Sequence, residues 1–273
     1  MQSGFYSATG GMVTQFNRLD SIANNLANVN TAGFKKEHAI VGDFLRLYKN
    51  ARDEMPLENN TKEGAQFYNR SMDRVPQVTD RYTDFSLGNM AKTGNTLDFA
   101  LSQDSLFFAV NTPNGIRLTK DGSFTLNDQG VLVTKQGYEV LASDYFETQN
   151  TINFNTEDAI IESDKNGHLY NSIPGSSQLI QNNMLMVVSP ENIQKLVKEG
   201  DNLFIPESLD SLHVKEESGS VLQGFVEKSN VNPINEMIAM IEANRLVGMY
   251  QKAMDSQMSD LNRDAIEKIA RIN

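Results

Sequence analysis

The sequence lacks several residue types on which many functional sites depend. Among its 273 residues there is no cysteine and no tryptophan, and there are only three histidines and seven prolines. Without cysteine the chain has no disulfide, no thiolate metal site and no cysteine nucleophile, although this does not fix its compartment. No apolar run comes near the roughly 20 residues of a transmembrane helix, and no apolar stretch follows a basic start. Neither a transmembrane segment nor a cleaved signal peptide is therefore expected.

Basic residues are also scarce, since 24 Lys and Arg stand against 35 Asp and Glu, a net charge of −11. This balance argues against a nucleic-acid partner, because such partners are bound by basic patches. Residues 1–31 are net neutral and residues 230–273 carry −1, which leaves −10 for the middle of the chain. Nearly neutral ends can pack against copies of themselves without strong repulsion.

Near the start of the chain, apolar residues recur at alternating steps of four and three. This is the spacing of a coiled-coil seam, and it predicts an N-terminal helix. The seam, which polar Thr9 interrupts once, consists of Phe5, Met12, Phe16, Leu19, Ala23 and Leu26. The opposite face is polar and carries Thr14, Gln15, Asn17, Arg18, Ser21 and Asn24.

A second long amphipathic helix is predicted at the C-terminal end, with Asn232 as N-cap and Pro233 as its first helical residue. Its apolar stripes consist of Ile234, Ile238 and Ile241, then Val247, Met254, Met258, Leu261, Ala265 and Ile269. Its five methionines suit a surface with several different neighbours, and they suit an ordinary core about as well. The two helices either form a hairpin docked on their own domain, or pair with each other and with neighbouring chains. Their separation in sequence favours the second arrangement.

Between the helices, short β-type runs alternate with turns that contain Gly115, Gly122, Gly130 and Gly137. The runs are Thr96–Leu101, Ser105–Val110, Ile116–Thr119, Ser123–Leu126, Val131–Thr134 and Tyr138–Leu141, with later ones at Ile160–Glu162, His168–Tyr170, Gln178–Gln181, Met184–Val188 and Val221–Val226. Such spacing is typical of an antiparallel sheet or sandwich. One helix is predicted among the strands, from an N-cap at Ser189 with Pro190 behind it to a C-cap at Gly200.

These patterns predict an α+β fold in which a mainly β middle domain of antiparallel sheets, or a sandwich, lies between long terminal helices. The helices are expected to be coiled-coil-like and to pack together. We divide the sequence into a terminal helical assembly domain (residues 1–34 and 230–273), an extended linker (35–84) and a β-rich domain (85–229). The linker is assigned because residues 49–84 are polar, contain Pro56 and Pro76 and show little periodicity.

Motifs for catalysis and cofactor binding are missing: there is no G-x-S-x-G, no P-loop and no G-x-G-x-x-G. His38, His168 and His213 have no second ligand at metal-binding spacing. The segment 162–167 weakly resembles a calcium loop, but Ile173 stands where a bidentate glutamate is required, so a turn is the better interpretation. We expect no enzyme activity, no cofactor and no metal.

Five motifs resemble those of the bacterial flagellar basal-body rod and hook proteins, and they follow the family's order along the chain. The first is residues 24–35, Asn-Asn-Leu-Ala-Asn-Val-Asn-Thr-Ala-Gly-Phe-Lys. The residues in it that carry the family signature are Asn25, Leu26, Ala27, Asn28, Thr31, Gly33 and Phe34. The other motifs are Thr93–Leu101, Leu118–Phe124, Asp201–Phe204 and Gln223–Asn232. Residues 104–106, Asp-Ser-Leu, depart from the family's G-D-G-F.

Within that family, the chain is too short for a hook subunit. The segment 186–200 resembles the proximal-rod (F-type) protein. Residues 41–48 match only loosely the segment that follows the signature in the distal-rod (G-type) protein, so the distal type is the second choice.

The resemblance implies a structural subunit of the basal-body rod in the periplasmic space, exported by the flagellar type III apparatus without a cleaved signal peptide. It implies self-assembly into a helical lattice through the terminal helices, transmission of torque, and termini that are disordered in the free monomer. The implied partners are copies of the chain, adjacent proximal-rod subunits, the distal-rod protein and the export apparatus.

Two alternatives from other classes remain. One is a cell-wall glycan hydrolase that uses Asp98 and Asp104 as its carboxylate pair. No second motif supports this enzyme. The other is a cytoplasmic coiled-coil adaptor, which leaves the glycine-spaced β region unexplained.

Overall fold

Two units, each built from separate stretches of sequence, make up the chain in a computed structural model. The structure describes residues 2–43, 76–148, 151–154, 160–172, 179–215 and 219–270. We call the first unit the terminal unit; it contains Met1–Ala27, Glu37–Thr83 and Asn232–Asn273. We call the second the β unit; it contains Asn28–Lys36 and Asp84–Val231.

The described residues contain three α-helices and a series of short strands. The helices are α1 (Gln2–Ala27), α2 (Tyr145–Thr148) and α3 (Pro233–Ala270). The strands are β1 (Glu37–Asp43), β2 (Pro76–Thr83), β3 (Met90–Lys92), β4 (Phe99–Leu101), β5 (Phe107–Thr112), β6 (Gly115–Thr119), β7 (Phe124–Leu126), β8 (Leu132–Thr134), β9 (Glu139–Val140), β10 (Ile160–Ser163), β11 (His168–Ser172), β12 (Leu179–Met184), β13 (Val187–Pro190), β14 (Val197–Gly200), β15 (Leu203–Ile205), β16 (Leu212–Val214), β17 (Val221–Gln223) and β18 (Phe225–Glu227).

The terminal unit consists of α1, α3 and an antiparallel pair formed by β1 and β2. The pairing runs from Glu37 opposite Thr83 to Asp43 opposite Pro76, with a bulge after Ile40. Helix α1 contacts α3 and both strands. The predicted linker, residues 35–84, therefore includes two paired strands, while its residues 44–75 lie outside the described part of the chain.

Helix α3 begins where its sequence predicts. The side chain of Asn232 accepts hydrogen bonds from the backbone N–H groups of Ile234 (3.0 Å) and Asn235 (3.3 Å), which satisfies donors that have no partner inside the helix. Pro233 follows as the first helical residue, where its missing N–H costs nothing. Within the described part of the chain, no helix combines the length and the apolar character that crossing a membrane requires.

The main sheet of the β unit is antiparallel and follows the order β14-β15-β6-β5-β9-β8-β7, with β13 paired to both β5 and β16. Smaller sheets are β10-β11-β12, β17-β4 and β18-β3. The mainly β middle region with antiparallel sheets is thus confirmed, as are the terminal helices and their contact. Each run predicted between Thr96 and Leu141 overlaps one of the strands β4–β9.

Strand β5 is buried on both faces, so the β unit has a core on each side of its main sheet. Phe108 packs into a cluster with Phe99 and Phe124, while Phe107 packs against Phe85 and Phe204 in a second cluster. Neighbouring residues reach opposite clusters because side chains alternate across a strand. The two cores therefore fix the register of the central strand.

The prediction of a helix from Ser189 to Gly200 is wrong. Residues up to Pro190 belong to β13, a 3-10 turn capped by Asn192 occupies Ile193–Lys195, and β14 follows. Pro190 is buried and pairs with Leu212 on β16. Partners distant in sequence supply this pairing, and such partners override local helix signals.

Candidate assembly interface and signature-motif cluster

Helices α1 and α3 run antiparallel and meet through a closely packed face. A Cβ atom built on Gly11 would lie 2.5 Å from the ring of Tyr250, so glycine at this position lets the ring approach the helix backbone. Two residues earlier on α1, the hydroxyl of Thr9 lies 3.4 Å from the sulfur of Met254. Small residues are what allow two helices to come this close.

The buried residues on this face of α1 are mostly small or polar. They are Ala8, Thr14, Gln15, Ser21, Ile22 and Asn25. Sequence reasoning placed three of them, at positions 14, 15 and 21, on the polar face opposite the seam. Apolar periodicity does not reveal such a face, but Ala8, Gly11 and Thr14 recur at steps of three, and this spacing of small residues is a signal of its own.

Asn25 joins three elements of the terminal unit. Its side-chain amide donates to the backbone carbonyl of Glu37 (2.9 Å) and to the carboxylate of Glu236 (3.2 Å). The backbone N–H of Glu37 donates in turn to the side-chain oxygen of Asn25 (3.0 Å). Asn25 and Glu236 are both buried. This signature residue therefore ties α1 to β1 and to α3.

The predicted seam residues lie largely outside this contact. On α1, Phe16 and Ala23 are exposed, and the half-buried members are Phe5, Met12, Leu19 and Leu26. On α3, Val247 is buried, Met254 is half-buried, and the exposed members are Ile238, Ile241 and Met258. The side chain of Leu261 lies outside the described residues. The structure does not bring the seam residues together as one coiled-coil core.

Large apolar side chains are exposed along both helices. Val13 and Phe16 on α1 are about half exposed. On α3 the exposed residues are Ile234, Met237, Ile238, Ile241, Met249 and Met258, of which Ile234 is 63% and Ile241 62% exposed. We call these eight residues the exposed apolar set. Concentrations of exposed apolar residues mark interaction surfaces in soluble proteins.

In the β unit, residues 28–36 form a segment that we call the strap. Gly33 has φ +69° and donates its N–H to the backbone carbonyl of Glu227 (2.8 Å). A Cβ on Gly33 would lie 2.3 Å from the backbone nitrogen of Asp121, so only glycine fits here. Within the strap, Thr31 donates through its N–H to the carbonyl of Asn28 (3.1 Å) and through its hydroxyl to the Asn28 side chain (3.2 Å).

Two further segments hold the strap. The Asn202 amide donates to the carbonyl of Ala32 (2.9 Å). The ammonium group of Lys198 donates to the carbonyl of Lys35 (3.2 Å) and lies 3.8 Å from the centroid of the buried Phe34 ring. Of the remaining signature residues, Leu26 is half-buried and Ala27 is exposed.

The five family motifs are linked by direct contacts. The motifs at 24–35, 118–124, 201–204 and 223–232 meet at the strap through Gly33, Asp121, Asn202 and Glu227. The motif at 93–101 joins them because the N–H of Phe99 donates to the carbonyl of Gly122 (2.9 Å) and the N–H of Gly224 donates to the carbonyl of Asp98 (2.8 Å). The motifs therefore mark one structural site of the β unit.

A buried ion pair lies beneath the strap. The ammonium group of Lys35 lies 2.6 Å from a carboxylate oxygen of Glu227, and both side chains are 1% exposed. Lys35 also donates to the carbonyls of Phe85 (3.2 Å) and Ser86 (2.8 Å), and the N–H of Gly88 donates to the same Glu227 oxygen (2.7 Å). Buried charges persist when they are paired and hydrogen-bonded in this way.

Asn230 bridges Lys36, the last residue of the strap, and Asp84, where the chain re-enters the β unit. Its side-chain oxygen accepts from the N–H of Lys36 (2.8 Å), and its amide donates to the carbonyl of Asp84 (2.8 Å). The N–H of Asp84 donates to the carbonyl of Lys36 (2.8 Å). Lys36 and Asp84 are therefore held side by side.

The residues considered for other chemistry occupy structural positions. Asp98 is buried and accepts from the Asn95 amide (3.2 Å), while Asp104 is exposed. Asp164, in the loop with weak calcium-site resemblance, accepts the N–H groups of Asn166 and His168 (both 2.9 Å), as a turn does. Partial burial acts to raise the pKa of Asp164, but the hydrogen bonds from His168 and Asn166 outweigh this effect and lower that pKa. Across the described ranges, no three His, Asp or Glu side chains are grouped to hold a metal ion.

Comparisons with known proteins agree with the motifs. Residues 5–35 match the family described as flagella basal body rod protein, residues 104–222 the flagellar hook protein FlgE/F/G D1 domain, and residues 222–265 the flagellar basal body rod FlgEFG protein C-terminal family.

Relatives named for both rod types are found, and their names describe rod proteins and no enzyme. The flagellar basal-body rod protein FlgF of Caulobacter vibrioides is 30% identical over 273 residues, covering 100% of both chains. FlgG of Buchnera aphidicola is 30% identical over 257 residues, 92% of this chain and 93% of the relative. FlgF of Rhizobium meliloti is 28% identical over 270 residues, 98% of each chain. The chain therefore belongs to the flagellar basal-body rod protein family.

Proposed function

We propose that this protein is a structural subunit of the proximal part of the rod, and that it assembles helically through its terminal helices and transmits torque. The exposed apolar set is the observation that carries the proposal, because it gives α1 and α3 apolar surface beyond their mutual contact. Full-length similarity to a relative named FlgF supports the proximal position, with the distal position as the alternative.

The energetics fit assembly by addition of subunits. Burying the exposed half of one isoleucine or methionine contributes about 1 kcal/mol. The set offers eight such side chains, while the ends of the sequence are almost neutral and repel their copies little. A contact between different surfaces of identical subunits propagates as an open helix when its rotation does not close a ring.

The proposed partners and location follow from the family. Partners are copies of this chain, adjacent proximal-rod subunits and the distal-rod protein, and the rod lies in the periplasmic space. Export would use the flagellar type III apparatus without a cleaved signal peptide. A subunit of this kind does mechanical work only, so we propose no catalytic role for Asp98 or Asp104.

Ile241→Asp tests the assembly role of the exposed apolar set. A charge in a desolvated helix contact costs several kcal/mol, so cells with this variant should make and export the protein but fail to complete the rod. The matched control is Asn244→Asp, which adds the same charge at an exposed position of the same helix. Swimming in soft agar and electron microscopy of purified basal bodies measure the outcome. Complete rods with Ile241→Asp would contradict the proposal.

A cross-linking inventory of purified rods tests the position in the rod. The proximal assignment expects this chain to cross-link to other proximal-rod subunits. Cross-links confined to hook-side proteins would favour the distal alternative.

A further inference from the structure

A second lysine is buried beside the ion pair under the strap. Lys120 follows β6, and its side chain is 1% exposed. Its ammonium nitrogen donates to the carbonyl of Gln103 (2.8 Å) and lies 4.7 Å from the centroid of the Phe107 ring. Its backbone supports the strap directly, because a Cβ on Gly33 would lie 2.5 Å from the carbonyl carbon of Lys120. We call Lys35, Lys120 and Glu227 the lysine cluster.

The charges of the lysine cluster do not balance when both lysines are protonated. Two buried ammonium groups then face the single buried carboxylate of Glu227, which pairs directly with Lys35 and acts on Lys120 through its charge. The Lys35 ammonium group bonds to one carboxylate oxygen of Glu227, and the other oxygen, which is also buried, accepts no hydrogen bond from any described residue. With Lys120 neutral, the cluster is a balanced pair. With Lys120 charged, the cluster holds a surplus positive charge, which is costly in a buried site.

The surroundings of Lys120 bring the deprotonation of its amine close to neutral pH. Burial lowers the pKa of Lys120 from 10.5 to about 7, against the attraction of Glu227 and Asp104 and with added repulsion from Lys35. In an opened state that solvates Lys120, the pKa returns towards its ordinary value. The open state therefore binds more protons between about pH 7 and pH 10.5, and the closed state gains stability as the pH rises through that window.

We propose that Lys120 is a proton-operated latch for the strap: protonation of its amine places a second cation near Lys35 and loosens residues 28–36 from the rest of the β unit, and deprotonation secures them. The proposal rests on the geometry of one unit, where Gly33 lies on the Lys120 backbone and bonds to Glu227. It holds whether or not the chain assembles into a rod.

Hydrogen exchange on the full-length chain measures how strongly the backbone amides of the strap are protected from solvent. Exchange is followed by mass spectrometry at pH 6.0 and pH 8.5, with exposure times scaled to the intrinsic exchange rate at each pH. Peptides covering residues 28–36 should be more protected at pH 8.5, by at most about 30-fold for these pKa values. Peptides from β10 and β11 serve as the internal reference and should change much less.

Two variants separate the latch from a general effect of pH. Lys120→Met keeps an unbranched apolar side chain without the amine and should abolish most of the pH dependence of strap protection. Lys135→Met removes an exposed lysine and should leave the dependence intact. A wild-type strap equally protected at both pH values, or an undiminished dependence in Lys120→Met, would overturn the proposal.

A direct titration keeps the proposal testable if Lys120→Met does not fold. In wild-type protein labelled with ¹³C-lysine, the ¹³Cε resonance of Lys120 is identified by its contact with the Phe107 ring protons. That resonance should titrate near neutrality. A midpoint above about pH 9 would show that Lys120 stays charged throughout and would refute the latch.

Discussion

The carboxylate of Glu227 takes hydrogen bonds from a lysine and from a backbone N–H in two other segments of the β unit. Lys35 lies 192 positions away in sequence and Gly88 lies 139 positions away. None of these residues carries a signal of burial in the sequence, because charged residues are usually exposed and pairing between distant residues is not encoded locally. The motif containing Lys35 was recognisable, but its role as one half of an ion pair was not.

Glu227→Gln should cost about 3–5 kcal/mol of stability, because it leaves the buried charge of Lys35 without its partner. Adding Lys35→Met should recover part of this loss, since no uncompensated charge then remains in the pair. Chemical unfolding followed by circular dichroism measures the free energies. Additive effects of the two substitutions would contradict a coupled pair.

The exposed pair Lys195–Glu207 is the matched control for that cycle. Both side chains are more than half exposed, and their atoms lie 2.8 Å apart. Glu207→Gln should therefore change stability by less than about 1 kcal/mol. A loss as large as that of Glu227→Gln would mean that burial is not what distinguishes the two pairs.

At the scale of elements, α1 is held by hydrogen bonds of a single side chain as well as by packing. Asn25→Ala removes the bonds to Glu37 and Glu236, and losing buried hydrogen-bond partners costs about 1–3 kcal/mol. Hydrogen exchange of peptides from α1 should accelerate by about tenfold or more. Asp20→Ala, at an exposed position of the same helix, should have little effect. Unchanged exchange in Asn25→Ala would contradict the role assigned to this residue.

Elements encoded by local chemistry were predictable from the sequence. The start of α3 follows from Asn232 and Pro233, and strands β5 and β6 follow from β-type runs joined by a glycine turn. Elements that depend on distant partners were not. Strand β14 is stabilised by pairing with β15, so the helical pattern ending at Gly200 misled the prediction.

The candidate assembly site was predictable in part. Apolar spacing identified residues such as Ile238 and Ile241, which the structure leaves exposed. The face on which α1 meets α3 was missed, because Gly11, Thr14 and Ser21 carry no hydrophobic signal. Close approach of helices favours small side chains, whereas hydrophobic periodicity reveals only large apolar ones.

At the scale of the whole molecule, the two units differ in what holds them. The β unit has two buried clusters rich in phenylalanine. On the helices of the terminal unit, by contrast, the described apolar residues that are buried are Ala8, Ile22, Ala243 and Val247. Local stability follows buried apolar area, so the two units should open with different free energies.

Limited proteolysis of the free chain tests this difference. Residues 1–27 and 232–273 should be trimmed first, while the β unit, residues 28–36 and 84–231, should resist. The reason is that the helices of the free chain bury few large apolar side chains. In purified rods, the same segments should resist digestion. Equal resistance throughout the free chain would contradict the expectation.

The Gly33–Glu227 hydrogen bond and the Lys35–Glu227 ion pair, which we call the clasp, join the two ends of the β unit, and this has a mechanical consequence. A pull applied between residue 28 and residue 231 meets the hydrogen bonds of Ala32 with Asn202 and of Gly33 with Glu227, and then the Lys35–Glu227 pair, before the strands of the main sheet can separate. The intervening residues form a side loop that carries no tension while the clasp holds. The path of mechanical load through this unit is therefore a few residues long. The strands of the main sheet bear load only after the clasp breaks.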